Sequence, residues 1–166
     1  MEYVYIGKIV GTHGIKGELK ILSDFEFKDR VFGEFIPIYI GEEKEEHVFK
    51  THRVHKTYDM ITLDGYNDIN EVLKFVKSKV YCNKEDLHLD KKTVLDSDLI
   101  GYNTYCRGEC LGKVIEVFNS GGGNKVIKTK EYMFPYRKEL FAKFDTRHGA
   151  IHLKSLEAVV ECESTY

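Results

Sequence analysis

The stretch from Gly7 to Ile21, GKIVGTHGIKGELKI, combines four glycines with one histidine and three lysines. Such residues occur in phosphate-binding loops, in catalytic loops and in turns between strands. A Walker A loop requires G-x4-G-K-[ST], and a dinucleotide fingerprint requires G-x-G-x-x-G at the start of a helix. Neither spacing is present, and the following residues, ELKIL, have the composition of a strand. We therefore do not expect a phosphate-binding loop of either type here.

His13 could act as a general base if a nucleophile or an orienting carboxylate lay beside it. Glu18 is near it in sequence, but nothing in the sequence fixes their geometry. The chain has no G-x-S-x-G motif, no H-E-x-x-H motif and no evident pair of catalytic carboxylates. We expect a protein that is not an enzyme, and a hydrolase that uses His13 is the least favoured alternative.

Cysteines and histidines offer a second possible chemistry. Cys106 and Cys110 are spaced C-x3-C, and His148 and His152 are spaced H-x3-H, a combination that could hold zinc. However, CRGEC has the composition of a β-turn and HGAIH that of a turn entering a strand, so the four side chains need not converge. We expect free thiols, no metal and no cofactor. Disulfides are not expected either, because the chain begins without a secretory signal and we expect a cytoplasmic protein.

The elements around these residues are predicted to be mostly short strands, with one short helix. The helix is predicted over 68–79, where Asp68 is a typical N-cap and Ile69, Val72, Leu73 and Val76 form an apolar stripe. The polar run 84–97 has no period and is predicted to be a linker. Strands are predicted at 3–10, 18–22, 35–40, 47–56, 58–63, 79–83, 100–106, 110–118, 124–130, 131–135, 141–145 and 150–154.

Charge limits the partners that the chain could bind. The 166 residues carry a formal net charge of −2, whereas a protein that wraps naked nucleic acid is usually strongly basic. Contact with RNA would therefore require a local basic patch or a protein partner that supplies part of the affinity. No apolar run approaches the length of a membrane-spanning helix, so we expect no membrane association.

Two regions resemble one known family. GKIVGTHGIKGELKI is similar to the N-terminal signature of the RimM family of ribosome maturation factors, which are 16S rRNA processing proteins. DLIGY at 98–102, LGKVIEVFNSGGGNKVI at 111–127 and FPY at 134–136 resemble the C-terminal PRC-barrel domain of that family. The resemblance covers nearly the whole chain, in order and at the expected spacing.

The resemblance implies a mainly β fold of two small β-barrels joined by a short linker, with one short helix in the N-terminal domain. We expect a translation-factor-like barrel over 1–83, a linker over 84–97 and a PRC barrel over 98–166. It also implies binding to the immature 30S subunit at the head of 16S rRNA, and to small-subunit ribosomal protein number nineteen. We expect a monomer that acts by binding. The alternative is a PRC-type interaction module that serves another complex.

Candidate contact residues follow from both lines of reasoning. The sequence alone leaves open whether THGIKGE is a solvated turn or a loop that displays its side chains. The resemblance favours contact with the ribosome by Thr12, His13, Gly14, Lys16 and Gly17. The strand 47–56 adds Lys50, His52 and Lys56, predicted to share one face, and Arg53 on the other face.

For the ribosomal protein, the resemblance draws attention to the entry of the PRC barrel. Many family members have two adjacent tyrosines where this chain has Val94 and Leu95, so the contact here has apolar area but no hydroxyls. Tyr102 and Tyr105 could substitute for the missing pair. The other positions that match the family pattern are Asp98, Asn124, Phe134 and Pro135, whereas Leu99 and Ile100 are predicted to be core residues and Gly101 to shape the backbone.

Overall fold

A computed structural model of the chain describes residues 1–163. The chain divides into two compact units between Lys91 and Lys92. This division lies inside the segment predicted to be a linker, although the predicted limits 1–83, 84–97 and 98–166 stay predictions. The mainly β architecture is confirmed. None of the described helices is long and apolar enough to cross a membrane.

The N-terminal unit is a single sheet of seven strands whose spatial order is β4-β3-β7-β1-β2-β6-β5. Its two edge strands, β4 and β5, are separated in the chain by Val48 alone, so the sheet has to curl until its edges meet. The sheet is therefore a barrel. The strands are β1 (Tyr3–His13), β2 (Glu18–Leu22), β3 (Ile38–Ile40), β4 (Glu45–His47), β5 (Phe49–His55), β6 (Tyr58–Leu63) and β7 (Lys79–Asn83).

Alternation along the strands fills the barrel. In β2, for example, Leu19 and Ile21 are completely buried while Glu18, Lys20 and Leu22 retain exposure. β1 is longer than predicted, because it continues past Val10 to His13. β3 begins only after Pro37, which has no N–H to donate to a neighbouring strand.

The first short helix, α1 (Lys28–Gly33), was not predicted. It packs on the barrel through Val31 and Phe32 and is tied down by a buried carboxylate. Lys28 Nζ lies 3.1 Å from one oxygen of Asp59, and His52 Nε2 lies 2.8 Å from the other. The run FEFKDRVF lacks an N-cap hydrogen bond from a side chain, so no start signal marked this helix in the sequence.

The second helix is shorter than predicted. α2 (Ile69–Val72) continues as a 3-10 turn over Leu73–Phe75, and the Asp68 side chain caps it by accepting from the Asn70 N–H at 2.7 Å. The change to 3-10 geometry after Val72 places Phe75 on the buried side. The predicted stripe is therefore wrong at Leu73, which is half exposed.

The C-terminal unit contains two four-stranded sheets, ordered β13-β14-β8-β9 and β10-β11-β12-β15, with β14 and β8 parallel. Residues from both sheets meet in one core, which includes Leu111, Phe134 and Ile151. The strands are β8 (Asn103–Cys106), β9 (Glu109–Lys113), β10 (Glu116–Asn119), β11 (Lys125–Lys128), β12 (Tyr132–Pro135), β13 (Phe141–Asp145), β14 (Ala150–Leu153) and β15 (Val160–Glu161).

Three details of this unit differ from the prediction, the first being Ile100, which was predicted to be a core residue but is 49% exposed. The single strand expected over 110–118 is divided into β9 and β10, because the buried Val114 turns inward and exchanges backbone hydrogen bonds with Gly101 and Tyr102. β15 was not predicted at all. The turn at Arg107-Gly108 is confirmed: both residues have positive φ, as a two-residue type I′ hairpin requires.

The predicted linker is not uniformly solvated. It begins with a 3-10 turn at Lys84–Leu87 and ends in another at Asp96–Leu99. Leu87 is completely buried, and Leu95 is 1% exposed. Because the run is polar overall, its composition does not indicate that these two leucines are buried.

Gly17 supplies a sharp test of the loop between β1 and β2. Its φ is +82°, and an added Cβ would lie 2.9 Å from the carbonyl oxygen of Asp68. Gly14 has a similar φ of +73° but open space around it. We expect Gly14→Ala to lower the free energy of local unfolding by about 1 kcal/mol, because alanine is strained at this positive φ. Gly17→Ala should lower the same free energy by at least about 1 kcal/mol more, because its Cβ would also meet the Asp68 carbonyl.

Hydrogen exchange of the amides in β1 and β2 measures this difference within the N-terminal unit. Gly14→Ala is the matched control, since it makes the same chemical change without the close approach. Equal costs for the two variants would contradict the tight fit of Gly17 against α2.

Candidate functional site

The loop between β1 and β2 is short and held against α2. Thr12 and His13 lie in β1 and Glu18 in β2, so the turn itself is 14–17. Ile69 donates its backbone N–H to the carbonyl of Ile15 at 2.9 Å. This bond and the close approach of Gly17 fix the loop in one conformation.

The predicted loop residues divide into displayed and structural ones. His13, Gly14 and Lys16 are exposed and Thr12 is half buried, whereas Gly17 is buried. Ile15 was not predicted as a contact, yet it is 82% exposed at the loop tip. An isolated apolar residue within a glycine-rich turn was the available signal, because nothing in the turn could bury it.

A β-bulge in β5 changes the predicted faces of that strand. Phe49 pairs with Leu63 and Thr51 with Thr62, so Lys50 is the extra residue. The prediction that Lys50 and His52 share a face is wrong for this reason. Lys50 and Thr51 border the same surface depression. Arg53 and His55 follow Thr51 at every second position of β5 and therefore lie on the same outward face.

His52 lies on the opposite face and has structural partners. Its ring stacks on Phe32 with centroids 4.8 Å apart, and its Nε2 contacts the carboxylate of Asp59. Only a fifth of its side chain is exposed. His52 therefore belongs to the attachment of α1, which weighs against the predicted contact with RNA.

Arg53 is exposed, but a carboxylate engages it. Its Nε and Nη2 donate to the two oxygens of Glu18 at 2.9 and 2.6 Å. This bidentate bond, aided by the nearby charges of His13 and His55, lowers the pKa of Glu18 below its ordinary value. The His13 and His55 rings lie 6.3 Å apart. Arg53 thus joins β5 to β2 and is only partly available to a ligand.

The outward side of β2, β5 and β6 and the adjoining loop form what we call the basic face. It includes a depression of about 410 Å³ bordered by Lys16, Lys50, Thr51, Thr62, Tyr66 and Asn67. Lys50 has a weak ion pair with Asp64 at 3.6 Å, and both partners are well exposed. Other cationic or titratable residues of the face include His13, Glu18, Lys20, Arg53, His55 and Lys56, the last in the exposed turn after β5.

The predicted contacts at the entry of the second unit have different environments. Val94 is half buried, while Leu95 is a core residue and its side chain is not available to a partner. Asp98 accepts a hydrogen bond from the backbone N–H of Leu95 at 3.0 Å. The structure therefore assigns Leu95 and Asp98 to shaping this turn and leaves Val94 as the accessible member.

Val94 borders an open depression of about 520 Å³ in the C-terminal unit, which we call the aromatic depression. Aromatic rings form much of its wall, with the rings of Phe141 and Phe144 stacked at 5.9 Å. Lys143 at its border is held by Asp145 at 3.0 Å. The other bordering residues are Lys92, Thr93, Tyr136, Lys138, Ala142 and Thr146. The aromatic spacing in PYRKELFAKF is the sequence signal for this surface.

Asp145 stabilises the border of the aromatic depression. Hydrogen bonds from Lys143, from the His148 ring at 2.9 Å and from the His148 backbone hold the pKa of Asp145 well below its usual range. Asp145 is therefore ionised at neutral pH and fixes the turn that follows β13.

The remaining predicted contacts are dispersed. Tyr102 packs over Gly149 and against Phe144, and burial, together with Asp98 and Asp145, raises the pKa of its phenol. Tyr105 stacks on His152 at 5.1 Å. Phe134 is 1% exposed and belongs to the core, so it cannot be a direct contact. Asn124 is exposed in the glycine turn, and Pro135 is half buried.

The two cysteines that could have contributed to a zinc site lie in different environments. Cys106 is buried, whereas Cys110 is exposed on the other strand of the hairpin. Within residues 1–163, no group of three or more His, Cys, Asp or Glu side chains could hold a metal ion.

Comparison with known proteins gives matches over both units. A family model described as the RimM N-terminal domain matches residues 4–87, and one described as the RimM PRC barrel domain matches residues 96–157. Proteins named ribosome maturation factor RimM from Staphylococcus aureus strains JH9 and Newman are each 34% identical over 165 residues. The alignments cover 95% of this chain and 99% of each relative.

Two solved structures are also similar. One is a crystal structure of a 16S ribosomal RNA processing protein RimM from Pseudomonas aeruginosa, with 20% identity and a TM-score of 0.48, covering 93% of this chain and 98% of that one. The other is the solution structure of the N-terminal domain of RimM from Thermus thermophilus, with 20% identity and a TM-score of 0.46, covering 54% of this chain and 98% of that one. The family models and the 34% identical relatives show that this chain belongs to the RimM family.

Proposed function

We propose that this protein is a ribosome maturation factor that binds the immature 30S subunit and assists the processing of 16S rRNA in its head. The observation that carries the proposal is the match of both units to relatives named ribosome maturation factor RimM over 95% of the chain. A binding protein of this kind favours one conformation of its target by differential affinity. The role needs no catalytic group, and we propose that the protein acts in the cytoplasm as a monomer.

The basic face is the proposed RNA contact. Lys16, Lys50 and Lys56 are exposed on it, and Lys50 has only a weak, solvated ion pair. His13, which is opposite Glu18, and the glycine turn bring polar and backbone groups to the same side, whereas Thr12 is opposite the buried Leu19 and faces the other way. Such groups position a protein on phosphates without reading sequence. Arg53 contributes less, because binding a phosphate would require it to leave Glu18.

The aromatic depression is the proposed contact with small-subunit ribosomal protein number nineteen. Its rings offer apolar area at low entropic cost, and Val94 extends that area from the chain segment where the family pattern has a tyrosine pair. The border also carries lysines, whose ammonium groups would donate hydrogen bonds to carboxylates or carbonyls of the partner. Tyr102 supports the depression through Phe144, so it acts as a positioning residue in this proposal.

A PRC-type interaction module that serves another complex is the second candidate. Ion pairs on the basic face favour this second candidate. Arg53 and Lys50 are each paired with a carboxylate, which makes them less available to RNA phosphates. The two candidates differ in whether immature 30S particles are preferred over mature ones and over unrelated complexes.

Removing lysines from the basic face tests the RNA contact. We expect Lys16→Ala with Lys50→Ala to weaken binding to immature 30S particles and to reduce the salt dependence, with a slope of log K against log salt smaller by about 1 to 2. Co-sedimentation across a salt series measures both. Lys130→Ala with Lys154→Ala removes two exposed charges from the C-terminal unit and is the control. An unchanged slope in the first double variant would contradict the assignment of the basic face.

A charge placed in the aromatic depression tests the protein contact. We expect Val94→Asp to weaken binding to the purified ribosomal protein about tenfold, because a carboxylate would be desolvated against the rings. Ile115→Asp makes the same change at another exposed position of this unit and should leave the affinity unchanged. Titration calorimetry measures both affinities. If Val94→Asp binds like the unsubstituted protein, the contact lies elsewhere.

A further inference from the structure

Four tyrosines lie together on the barrel of the N-terminal unit, away from the basic face. Tyr39, Tyr81 and Tyr5 occupy one row across β3, β7 and β1, because they are cross-strand partners. Tyr3 packs edge-on against Tyr39 with ring centroids 4.9 Å apart, and Tyr5 does so against Tyr81 at 5.9 Å. The residues that alternate with them point into the barrel and are buried: Val4, Ile6, Ile38, Ile40, Val80 and Cys82.

We call this group the tyrosine face. Tyr3 is 39% and Tyr5 is 48% exposed, whereas Tyr39 is buried beneath its neighbours. The edge-on contacts fix the exposed rings before any partner arrives, so little side-chain entropy remains to be lost on binding. Fixed, accessible aromatic rings of this kind are typical of binding surfaces.

A lysine of the same unit already lies over the face of one of these rings. The ammonium of Lys44 lies 3.9 Å from the centroid of the Tyr81 ring. At that distance the negative face of the ring attracts the charge. The contact identifies the chemistry that this surface accepts, since Lys44 comes from the turn between β3 and β4 and has no role in the barrel core.

The surroundings of the tyrosine face are acidic. Glu46 stands directly opposite Tyr39 on β4, and the preceding turn contains the carboxylates of Glu42 and Glu43, whereas Glu45 is opposite the inward-facing Ile40 and lies 3.3 Å from His47. Burial and the charges of Glu46 and Asp86 raise the pKa of Tyr39, and burial together with Asp24 raises the pKa of Tyr5. Other cations on or next to these strands are Lys84, paired with Glu2 at 3.3 Å, and Lys8 and Lys79, which are opposite each other beyond the bulge in β1.

We propose that the tyrosine face docks a lysine- and arginine-rich segment of a partner protein. Guanidinium and ammonium groups would lie on the exposed rings and reach the carboxylates beside them. RNA is disfavoured here, because its phosphates would meet the carboxylates of β4 and the turn before it. The proposal does not rest on the RNA contact of the basic face, which lies on β2, β5 and β6.

The test uses the full chain with isotope-labelled tyrosine rings and three probes: nona-arginine, nona-glutamate and a dodecamer of uridylate. We expect nona-arginine to shift the resonances of Tyr3, Tyr5 and Tyr81 in NMR spectra, while the two anionic probes leave them unchanged. Tyr5→Ser and the double variant Asp24→Lys with Glu46→Lys should each weaken nona-arginine binding about three- to tenfold.

Two controls separate docking from general attraction and from unfolding. Tyr5→Phe retains the ring and should bind as the unsubstituted protein does. Glu161→Lys changes an exposed charge in the other unit and should have a much smaller effect than the double variant. The proposal is overturned if the uridylate probe shifts the same rings with equal affinity, or if Glu161→Lys weakens nona-arginine binding as much as Asp24→Lys with Glu46→Lys does. It is also overturned if no tyrosine resonance moves.

Discussion

Closure of the N-terminal sheet is the constraint on which the surfaces of that unit depend. With only Val48 between them, β4 and β5 follow one another end to end, so this stretch of chain pairs first with β3 and then with β6, and the outward residues of all seven strands cover one continuous curved surface. Because inward positions are filled mainly by aliphatic side chains, most polar and aromatic groups that the strands carry are directed to that surface, with Phe49, His52 and Asp59 as exceptions. The barrel thus decides which residues can act together, although they are distant in sequence.

The surface of this barrel is divided by charge. Cations gather on β5, the turn after it and the loop between β1 and β2, while tyrosines gather on β1, β3 and β7 beside the carboxylates of β4 and of the turn before it. Such a division allows one small unit to meet an anionic and a cationic partner at the same time without competition between them. It also shows how a chain with a net charge of −2 can carry a local basic surface.

Much of this architecture could be predicted from local patterns, and the failures have identifiable physical causes. The β1–β2 loop, the strands at 47–56 and 58–63 and the turn at Arg107-Gly108 were predicted because glycine and alternation are local signals. The bulge at Lys50 was not, since nothing in HVFKTHRVHK indicates which residue is left unpaired. The assignment of His52 failed for a related reason: its partners, Phe32 and Asp59, are brought to it only by folding. The burial of Leu95 likewise depends on tertiary packing that a polar run conceals.

The bond from Ile69 to the carbonyl of Ile15 couples two parts of the chain that sequence comparison would treat separately. The tip of the β1–β2 loop can hold its shape only while the short α2 turn, capped by Asp68 and seated by Val72, stays in place. The helix therefore stabilises a loop surface that it does not itself form. Conservation of the loop sequence alone would not preserve the geometry of the loop. A substitution in α2 would alter contacts made more than fifty residues earlier in the chain.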